Sequence, residues 1–523
     1  MERSICDWPT EYHLSRARTN LLRPFDLARY ANVLEIGSGC GAITRYLAET
    51  CKHVTALEGS PNRAAIVRDR CADLKNVTCV CANLDDVRFT TKFDLVVVIG
   101  VLEYAGKFLA DHADPWQAFL RLVRDAMAPG GVCLLAIENK LGTKYFGGAA
   151  EDHTARPYEG IEGYYPGTQV RTFGKQELIQ CFERAGFATD LFLPLPDYKL
   201  PRVILNAAST NKGLHLSQWY ERTRDPLRFS EPLVLPELEK NGLLADLANS
   251  FVVLATQKGD PTPSCPWDAA YYSINRRRRY QTETRLEQAD SGPVIRKSYL
   301  FPTSGEQTVG LVRQRIGHSP YVVGEKHSLR MLRALRRAGA EGDKEFEKLV
   351  AEWHEFLVKR AGPARGLHTK LPANLLDATP FNLVSTPSGL EIIDQEWTLE
   401  TGDVSVGWVL FRGLYWFLVA YGEFSRCRKK SWGQWGAFIQ KQFALFGYSL
   451  TGADLRVLAN REAGFQEAIL EGNAASDFTT GILQGLGPMT SLLRLGRNTA
   501  SRTIEIGKRL RQSLRNNGSH SAG

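Results

Sequence analysis

Several common sequence signatures are absent from this chain. The ten cysteines include no Cys-x-x-Cys pair, which excludes zinc-ribbon and thioredoxin-like sites, and the length of 523 residues excludes a small secreted disulfide scaffold. The N-terminal sequence MERSICDWPTEYHLSRAR lacks the apolar stretch of a secretory signal. The one long apolar run, residues 404–421, carries Arg412 at its centre, which is unfavourable in a bilayer. We therefore expect a cytoplasmic protein in which this run is a buried helix.

Basic charge is concentrated towards the C-terminal end. The chain has a net charge of +8 at pH 7, and residues 488–517 alone hold seven bases and one acid. The rest of the chain is nearly neutral, so no nucleic acid partner is expected. Three interpretations of the basic tail, residues 488–523, stay open: a disordered segment, a contact with a partner protein, or a peripheral contact with the anionic inner face of the cytoplasmic membrane.

The composition, with 43% hydrophobic and 23% charged residues, is that of a globular protein. From residue 30 onward, apolar strands alternate with helical patterns. This alternation predicts an α/β fold with a doubly wound, mostly parallel sheet that helices cover on both faces. Ligands of such sheets bind beyond the carboxyl ends of the strands. The strands are predicted at residues 32–36, 53–57, 77–82, 93–99 and 132–137.

A glycine-rich loop follows the first predicted strand in the pattern Glu-x-Gly-x-Gly-x-Gly, formed by Glu35, Gly37, Gly39 and Gly41. Glycines let the backbone approach a ligand closely, and the helix that follows offers its N-terminus to a carboxylate. Glu58 ends the next strand, where its carboxylate can accept both hydroxyls of a ribose. A strand, loop and helix of this kind hold either a dinucleotide or a smaller nucleoside.

The sequences VLEIGSGCGAITRYLAE, VTALEGS, ANLDD and FDLVVVIGVLEY resemble the motif series of class I S-adenosylmethionine-dependent methyltransferases. The resemblance covers about the first 258 residues. It implies that the three glycines face the methionine part of S-adenosylmethionine and that Glu58 holds the ribose. A catalytically inactive nucleotide-binding domain and an NAD oxidoreductase stay open as alternatives. The other residues that we count with the cofactor site are Glu35 in the loop, Asn83 and Leu84 around the adenine, Asp85 as the alternative to Asn83, and Gly100 at the start of the methyl-transfer loop.

Residues 136–167 follow the fifth predicted strand and are dense in glycine, acids, histidine and tyrosine. They are predicted to form a polar lid or acceptor site, with a purely structural loop as the alternative. An acceptor hydroxyl needs a general base, and His153 is the first candidate because its ordinary pKa suits neutral pH. Glu138, Glu151 and Asp152 are the other candidates. With RTFGKQELIQCFERAGF and PLPDYKLP, this segment resembles bacterial methyltransferases of surface-polysaccharide synthesis.

The last strand of the first domain is predicted at residues 250–256. The stretch that follows it, residues 258–268, is polar and rich in glycine and proline, which indicates a linker. The arginine quartet at residues 276–279 is predicted to lie at an exposed strand edge, where charge prevents pairing. The predicted parts of the chain are a methyltransferase domain at 1–258 with a helical insertion at about 206–248, a linker at 259–268, a second domain at 269–487 and the basic tail at 488–523.

The second domain carries Asp377 and Asn382 five residues apart, and Asp394 after a predicted hairpin. Kinases place a catalytic Asp, a metal-binding Asn and a second metal-binding Asp in this order. The segment resembles the kinase-like fold, which implies that Asp377 is catalytic, that Asn382 and Asp394 bind Mg²⁺, and that Lys297 pairs with ATP phosphates.

The second domain also departs from the kinase pattern. No glycine-rich loop precedes Lys297, and Leu375 stands where kinases usually carry His. Glu306 and Glu325 are both candidate partners of Lys297. An active phosphotransferase, a nucleotide-binding pseudokinase and an unrelated helical domain therefore stay open.

A methyltransferase joined to a kinase-like domain resembles the bifunctional terminators of O-antigen chains in lipopolysaccharide biosynthesis. The resemblance implies methylation of a surface polysaccharide or lipid-linked glycan, at a hydroxyl or a phosphate, and phosphorylation of the same substrate. The implied cofactors are S-adenosylmethionine, with ATP and Mg²⁺ in the second domain. The alternative is an adaptor that binds nucleotide and the glycan machinery with little or no chemistry of its own.

Overall fold

We describe the fold from a computed structural model. It covers residues 4–210, 213–215, 229–301, 307–309, 312–337, 339–362, 366–400, 403–421 and 432–470. The basic tail lies outside these residues, as do residues 211–212 and 216–228 of the predicted insertion. Among the helices of the described residues, none is both long and apolar enough to cross a bilayer.

The helices of the described residues are α1 Trp8–Leu14, α2 Ala42–Thr50, α3 Pro61–Arg70, α4 Ala105–Phe108, α5 Pro115–Ala126, α6 Thr143–Phe146, α7 Glu159–Glu162, α8 Lys175–Arg184, α9 Glu231–Lys240, α10 Leu244–Leu247, α11 His327–Arg336, α12 Ala340–Val358, α13 Val406–Tyr421, α14 Trp432–Ala444 and α15 Gly452–Ile469. Short 3-10 helices include Arg16–Leu21, Leu84–Asp86, Leu102–Tyr104 and Pro380–Asn382.

The strands are β1 Asn32–Ile36, β2 His53–Glu58, β3 Val77–Cys81, β4 Phe93–Ile99, β5 Met127–Glu138, β6 Phe187–Leu195, β7 Val203–Asn206, β8 Ser250–Gln257, β9 Trp267–Ser273, β10 Thr282–Ala289, β11 Gly292–Tyr299, β12 Gln307–Val309, β13 Val312–Gln314, β14 His318–Pro320, β15 Glu325–Lys326, β16 Lys370–Leu371, β17 Leu383–Thr386, β18 Gly389–Ile392, β19 Trp397–Leu399 and β20 Val404–Ser405.

The first five strands form the parallel part of a twelve-stranded sheet, in the order β3-β2-β1-β4-β5. β4 is apolar along almost its whole length because both of its faces are buried. Leu95 and Val97 belong to the core on one face, with Leu47, and Val96 and Val98 belong to the core on the other. The predicted α/β class and the position of these five strands are therefore confirmed.

The other half of the sheet is antiparallel, in the order β5-β8-β6-β7-β9-β10-β11-β14. Of the eleven strand pairings, four are parallel and seven are antiparallel, so the sheet as a whole is mixed rather than mostly parallel. The direction of β8 could not be read from its sequence. A strand that is buried on both faces is apolar along its length whether it runs parallel or antiparallel to its neighbours. The sheet also continues past the predicted linker, since Trp267 and Asp268 belong to β9, which pairs with β7.

Helices α11 to α15 and two three-stranded sheets, β12-β13-β19 and β15-β17-β18, form most of the C-terminal half. α13 is buried along nearly all of its sixteen residues. Arg412 in this helix pairs with Glu462 of α15 at 2.5 Å. The prediction of a buried helix around Arg412 is confirmed, and an acid from a distant helix neutralises the charge.

The arginine quartet differs from its prediction. Arg276 is not at an exposed edge, because its side chain is 19% exposed and pairs with the buried carboxylate of Glu396. Arg277 donates hydrogen bonds to the backbone carbonyls of Glu467 and Leu470. Two of the four arginines therefore attach this segment to the C-terminal half, while the other two remain exposed.

Candidate functional site

The glycine loop between β1 and α2 has a backbone that favours glycine. Gly37, Gly39 and Gly41 have φ angles of 75°, 57° and 77°, in the left-handed region. A Cβ atom on Gly41 would lie 3.2 Å from the backbone of Val67, whereas the space beside Gly39 is open for at least 4 Å. The loop therefore packs tightly on its inner side and leaves room for a ligand at its middle glycine.

Glu58 ends β2 directly beside this loop, as the sequence predicts. Its buried carboxylate accepts hydrogen bonds from the backbone N–H of Gly39 at 2.8 Å and of Ser60 at 3.0 Å, and from Arg63 Nε at 2.9 Å. Glu35 lies beneath the loop instead, where it accepts a hydrogen bond from the Thr44 hydroxyl at 2.5 Å. Burial raises the pKa of Glu35 to about 7. Glu35 thus supports the junction of loop and helix rather than facing a ligand.

The three adenine candidates lie at the carboxyl end of β3. Leu84 is half-buried and packs against the core. Asn83 is exposed, and its amide donates to Asp86 at 3.1 Å. Asp85 is also exposed and lies 3.7 Å from His112 Nε2. Both polar candidates are thus on the surface at the strand edge where the fold places ligands.

Gly100, at the end of β4, is covered by a residue that the sequence prediction did not include. A Cβ atom on Gly100 would lie 2.6 Å from the hydroxyl oxygen of Tyr198, which is itself buried. Gly100 has a φ of 68°, so both its backbone and the close approach of Tyr198 require glycine. Tyr198 therefore forms a wall of the space at the edge of the parallel strands.

A group of charged side chains gathers at this edge, and we refer to it as the ionic cluster. Lys199 Nζ lies 2.6 Å from Glu138 Oε1 and 3.1 Å from Asp152 Oδ2, and Lys144 Nζ lies 2.5 Å from the same oxygen of Asp152. Glu138 is fully buried at the end of β5. The cluster consists of Glu103, Glu138, Lys144, Asp152, His153 and Lys199.

His153 lies at the centre of the ionic cluster, with its side chain 8% exposed. Its Nδ1 is 3.1 Å from the Tyr104 hydroxyl, and its Nε2 is 3.5 Å from Glu138 and 3.9 Å from Glu103. Burial alone would lower the pKa of His153, but Glu138 and Glu103 outweigh it and raise the pKa to about 9. His153 therefore carries a proton at neutral pH and must lose it before it can act as a base.

The pKa values of the two glutamates of the ionic cluster are shifted in opposite directions. Burial and the charge of Glu138 raise the pKa of Glu103 to about 8. Burial would also raise the pKa of Glu138, but Lys199 and His153 hold it well below its usual value. One oxygen of each glutamate and a nitrogen of His153 lie within 4.8 Å of one another, so a cation could bind there in competition with Lys199.

Two further residues of the predicted lid are held in place by hydrogen bonds. Glu151 is buried, and its carboxylate accepts the backbone N–H groups of His153 and Thr154, both at 2.7 Å. Glu151 therefore holds the turn that positions His153, which makes it a poor candidate for a base. Asp152 is paired with the two lysines, as described. Residues 142–151 of the segment are thus mostly packed over the sheet edge, whereas much of residues 152–167 is exposed.

A second charged group lies in the C-terminal half. Lys297 of β11 pairs with Asp394 and, at 2.8 Å, with Glu396, and Arg276 pairs with the same Glu396. Burial alone would lower the pKa of Lys297, but Asp394 and Glu396 raise it. The glutamate partner is therefore Glu396. The suggested partner Glu325 pairs with Arg333 instead, and Glu306 lies outside the described residues.

Asp377 and Asn382 lie next to this group. Asp377 accepts the backbone N–H of Trp397 at 3.0 Å, and its buried carboxyl lies 3.5 Å from Arg412. Burial raises the pKa of Asp377 to about 7. Asn382 donates to the backbone carbonyl of Asp377 at 3.2 Å, and its own carbonyl accepts from Ile393. The fold thus brings the four predicted residues of the second domain to one place.

Several residues of both groups were missed in the sequence prediction. Glu103 follows a buried strand at its ligand-binding edge, and Lys199 lies within the quoted PLPDYKLP, so both had a detectable signal. Glu396 stands two residues after Asp394 in the same segment. No motif in the sequence pointed to Lys326. It is buried, which lowers its pKa to about 7, and its Nζ donates to the Phe381 carbonyl at 2.8 Å.

Residues 34–133 match the family model described as a methyltransferase domain. This range begins in β1 and ends in β5, so it contains the glycine loop, Glu58 and Gly100. The chain therefore contains a class I S-adenosylmethionine-dependent methyltransferase domain.

Known proteins are similar to a part of this chain. Nodulation protein S of Rhizobium tropici is 34% identical over 101 residues, 19% of this chain and 40% of that protein. Demethylmenaquinone methyltransferase of Tropheryma whipplei (strain Twist) is 33% identical over 100 residues, 19% of this chain and 38% of that protein. The chain spans about two fifths of the length of these curated relatives. The solved structure of the N-methyltransferase NodS from Bradyrhizobium japonicum WM9 in complex with S-adenosyl-L-homocysteine is 26% identical, covering 27% of this chain and 71% of that chain, with a TM-score of 0.23.

Proposed function

We propose that this protein is an S-adenosylmethionine-dependent methyltransferase that acts on a surface polysaccharide or a lipid-linked glycan, at a hydroxyl or a phosphate. The observation that carries the proposal is the position of the ionic cluster, at the edge of the parallel strands beside the glycine loop and Gly100. The loop is packed tightly against the protein at Gly41, and the open space at Gly39 would let a ligand approach the backbone of the loop closely. S-adenosylmethionine would supply the methyl group.

In this proposal, the residues of the chain bind and orient the two substrates. The glycine loop and Glu58 hold the nucleoside part, with Asn83, Leu84 or Asp85 at the adenine. The packed segment over the sheet edge excludes water, and alignment of the two reacting atoms at about 3–3.5 Å provides much of the rate enhancement. His153 is the proposed base for a hydroxyl acceptor, while a phosphate acceptor is already anionic and needs none.

The test is incubation of the protein with S-adenosylmethionine that carries a labelled methyl group and with a lipid-linked glycan extract, followed by mass spectrometry of the products. We expect label on the glycan, and less of it with Glu58→Gln. Binding of the cofactor without any labelled product would favour the adaptor alternative. Absence of cofactor binding would contradict the proposal.

A second activity is proposed for the C-terminal half, namely Mg²⁺-dependent phosphorylation of the same glycan with ATP. The supporting observation is the cluster of Lys297, Asp394, Asp377 and Asn382. Lys297 would hold the phosphates of ATP, and Asn382 and Asp394 would hold Mg²⁺. The alternative is a nucleotide-binding scaffold without phosphotransfer.

Asp394→Asn tests this second activity, with Asp290→Asn on the exposed turn after β10 as the matched control. We expect Asp394→Asn to abolish ATP turnover and to leave binding of S-adenosylmethionine unchanged. If the unmodified protein neither hydrolyses ATP nor transfers phosphate, the scaffold alternative is favoured, and thermal stabilisation by nucleotide would then measure binding.

The basic tail is proposed to contact the anionic inner face of the cytoplasmic membrane, which would bring the enzyme to a lipid-linked substrate. Its net positive charge supports this proposal.

A further inference from the structure

Glu103 has a carboxyl group whose hydrogen-bonding capacity is unused in the part of the chain that the structure describes. Its side chain is fully buried, and both of its oxygens lack a hydrogen-bond partner. Burial of a polar group without such partners is unfavourable, and native folds rarely contain one without a reason. The carboxyl of Glu103 therefore indicates a partner that a ligand supplies.

The position of Glu103 is fixed by its backbone. It lies in the 3-10 helix Leu102–Tyr104, which begins two residues after Gly100 at the end of β4. Its carbonyl accepts the backbone N–H of Arg171 at 3.1 Å, so the segment that ends the predicted lid holds this turn in place. The carboxyl thus belongs to the loop that follows Gly100, at the edge of the sheet where the fold places ligands.

The nearest charged group to the Glu103 carboxyl is the ring of His153. The distance from His153 Nε2 to Glu103 Oε1 is 3.9 Å, which is too long for a hydrogen bond. A single oxygen atom between the two would lie within hydrogen-bond distance of both. The gap therefore fits one hydroxyl group that contacts the acid on one side and the histidine on the other.

The lysines of the ionic cluster do not fill this gap, because they pair with other acids. Lys199 contacts Glu138 and Asp152, and Lys144 contacts Asp152. Glu138 keeps its negative charge beside Glu103, since Lys199 and His153 hold its pKa well below the usual value. An anionic ligand at Glu103 would lie against this buried carboxylate, which is electrostatically unfavourable.

A hydroxyl group suits the Glu103 carboxyl in both of its protonation states. Burial and the charge of Glu138 raise its pKa to about 8, so the protonated form dominates at pH 7. The ionised form only accepts hydrogen bonds, and the protonated form donates one and accepts others. Hydroxyl groups donate and accept, whereas a fully ionised phosphate only accepts and would leave at least one oxygen of Glu103 without a donor.

We propose that Glu103 is an acceptor-binding residue, whose carboxyl holds hydroxyl groups of the sugar to be methylated and so selects a hydroxyl over a phosphate. This inference rests on the proposed function and names the acceptor class of the same site. Adjacent hydroxyls of one sugar ring can meet both oxygens of a carboxyl, as Glu58 is proposed to hold the ribose. The reacting hydroxyl then passes its proton to His153 Nε2 as its oxygen bonds to the methyl carbon, and the carbon–sulfur bond breaks with its electron pair on sulfur.

The acceptor class is tested on the product that forms from a lipid-linked glycan extract and S-adenosylmethionine with a labelled methyl group, without ATP. Hydrofluoric acid breaks phosphate esters and leaves methyl ethers intact. We expect the label to stay on a sugar after this treatment. Release of the label as methanol would overturn the inference, because the methyl group would then have been on a phosphate.

The role of Glu103 is tested with Glu103→Ala, Glu103→Gln and the control Glu183→Gln, an exposed acid of α8. We expect Glu103→Ala to raise the apparent KM for the glycan extract roughly 10- to 150-fold and to change kcat less. Glu103→Gln keeps one acceptor oxygen and should raise KM less, and the control should leave it unchanged. All three variants should bind S-adenosylhomocysteine in calorimetry as the unmodified protein does, which shows that the fold and the cofactor site are intact.

Three further outcomes would contradict the role of Glu103. An unchanged KM in Glu103→Ala would overturn it, and so would weaker binding of S-adenosylhomocysteine in both Glu103 variants, since the residue would then serve the fold or the cofactor. Loss of methylation with a chelator, restored by Mg²⁺, would make Glu103 a metal ligand instead. If the unmodified protein labels no glycan at all, the proposed function itself fails.

Discussion

At the scale of single residues, Glu58 connects the glycine loop to β2 through its bond to the Gly39 N–H. We predict that Glu58→Gln weakens binding of S-adenosylmethionine roughly 10- to 150-fold, because losing charge-assisted hydrogen bonds costs about 1.5–3 kcal/mol. Calorimetry measures this loss. Asp69→Asn, an exposed acid at the end of the adjacent helix α3, is the control. Equal affinities of both variants would contradict the assignment of Glu58.

His153 gives the site a predicted dependence on pH. Its pKa is raised to about 9, so the proton stays on at pH 7 and is lost as the pH rises through 9. If His153 is the base, kcat should rise about tenfold per pH unit between pH 6.5 and 8.5 and then level off. His153→Asn should be much slower and should show no such rise. A flat profile in the unmodified enzyme would exclude His153 as the base.

Site residues with a local sequence motif could be predicted, whereas those that depend on partners distant in the sequence could not. The glycine loop and Glu58 stand in short motifs, each at the end of a recognisable strand. Glu103 and Lys199 acquire their role only when β4, β5 and the segment before β7 meet at one edge of the sheet. The role of His153 also depends on neighbours that are distant in the sequence, since its ordinary pKa suggests a base while Glu138 and Glu103 keep it protonated.

At the scale of structural elements, the stability of the C-terminal half depends on the contact between α13 and α15. Glu462 is fully buried, pairs with Arg412, and accepts hydrogen bonds from Trp408 and Trp416 at 3.1 and 2.9 Å. We predict that Glu462→Gln lowers the free energy of unfolding by about 3–5 kcal/mol, because it leaves Arg412 as a buried charge with a weaker partner. Urea denaturation followed by tryptophan fluorescence measures this change.

Glu355→Gln on the exposed side of α12 is the control for this measurement, and its stability should match that of the unmodified protein. The double variant with Arg412→Met and Glu462→Leu should recover much of the loss, since an apolar pair avoids the buried charge. If Glu462→Gln is as stable as the control, the ion pair does not stabilise the fold.

The elements themselves were predictable to different degrees. β1 to β4 and α2 were found nearly to the residue, because each combines a short apolar run with a glycine or an acid at its end. The direction of β8 and β6 was not predictable, since a strand in the middle of a sheet is buried on both faces either way. Arg276 looked like an edge residue because its partner, Glu396, is 120 residues away in the sequence.

At the scale of the whole molecule, the charge of the tail leads to a prediction about membranes. With roughly 1 kcal/mol per basic residue near an anionic surface, the net charge of residues 488–517 allows at most about 6 kcal/mol, or binding at tens of micromolar. We expect deletion of residues 488–523 to abolish sedimentation with anionic liposomes and to leave methylation of soluble substrates intact. The binding should decline with salt. Equal sedimentation of both proteins at low salt would contradict the proposal.

The pairing of β7 with β9 bears on how the protein can be dissected. Cutting the chain after Lys258 looks natural from the sequence, yet it would leave β7 and β9 with unpaired edges. Exposed edges of this kind attract strands from other chains and promote aggregation. The two fragments should therefore be insoluble when produced alone and recover when produced together. Because β7 and β9 complete one another's edges, we expect the two parts of the sheet to fold together, and both proposed activities are best assayed in the full chain.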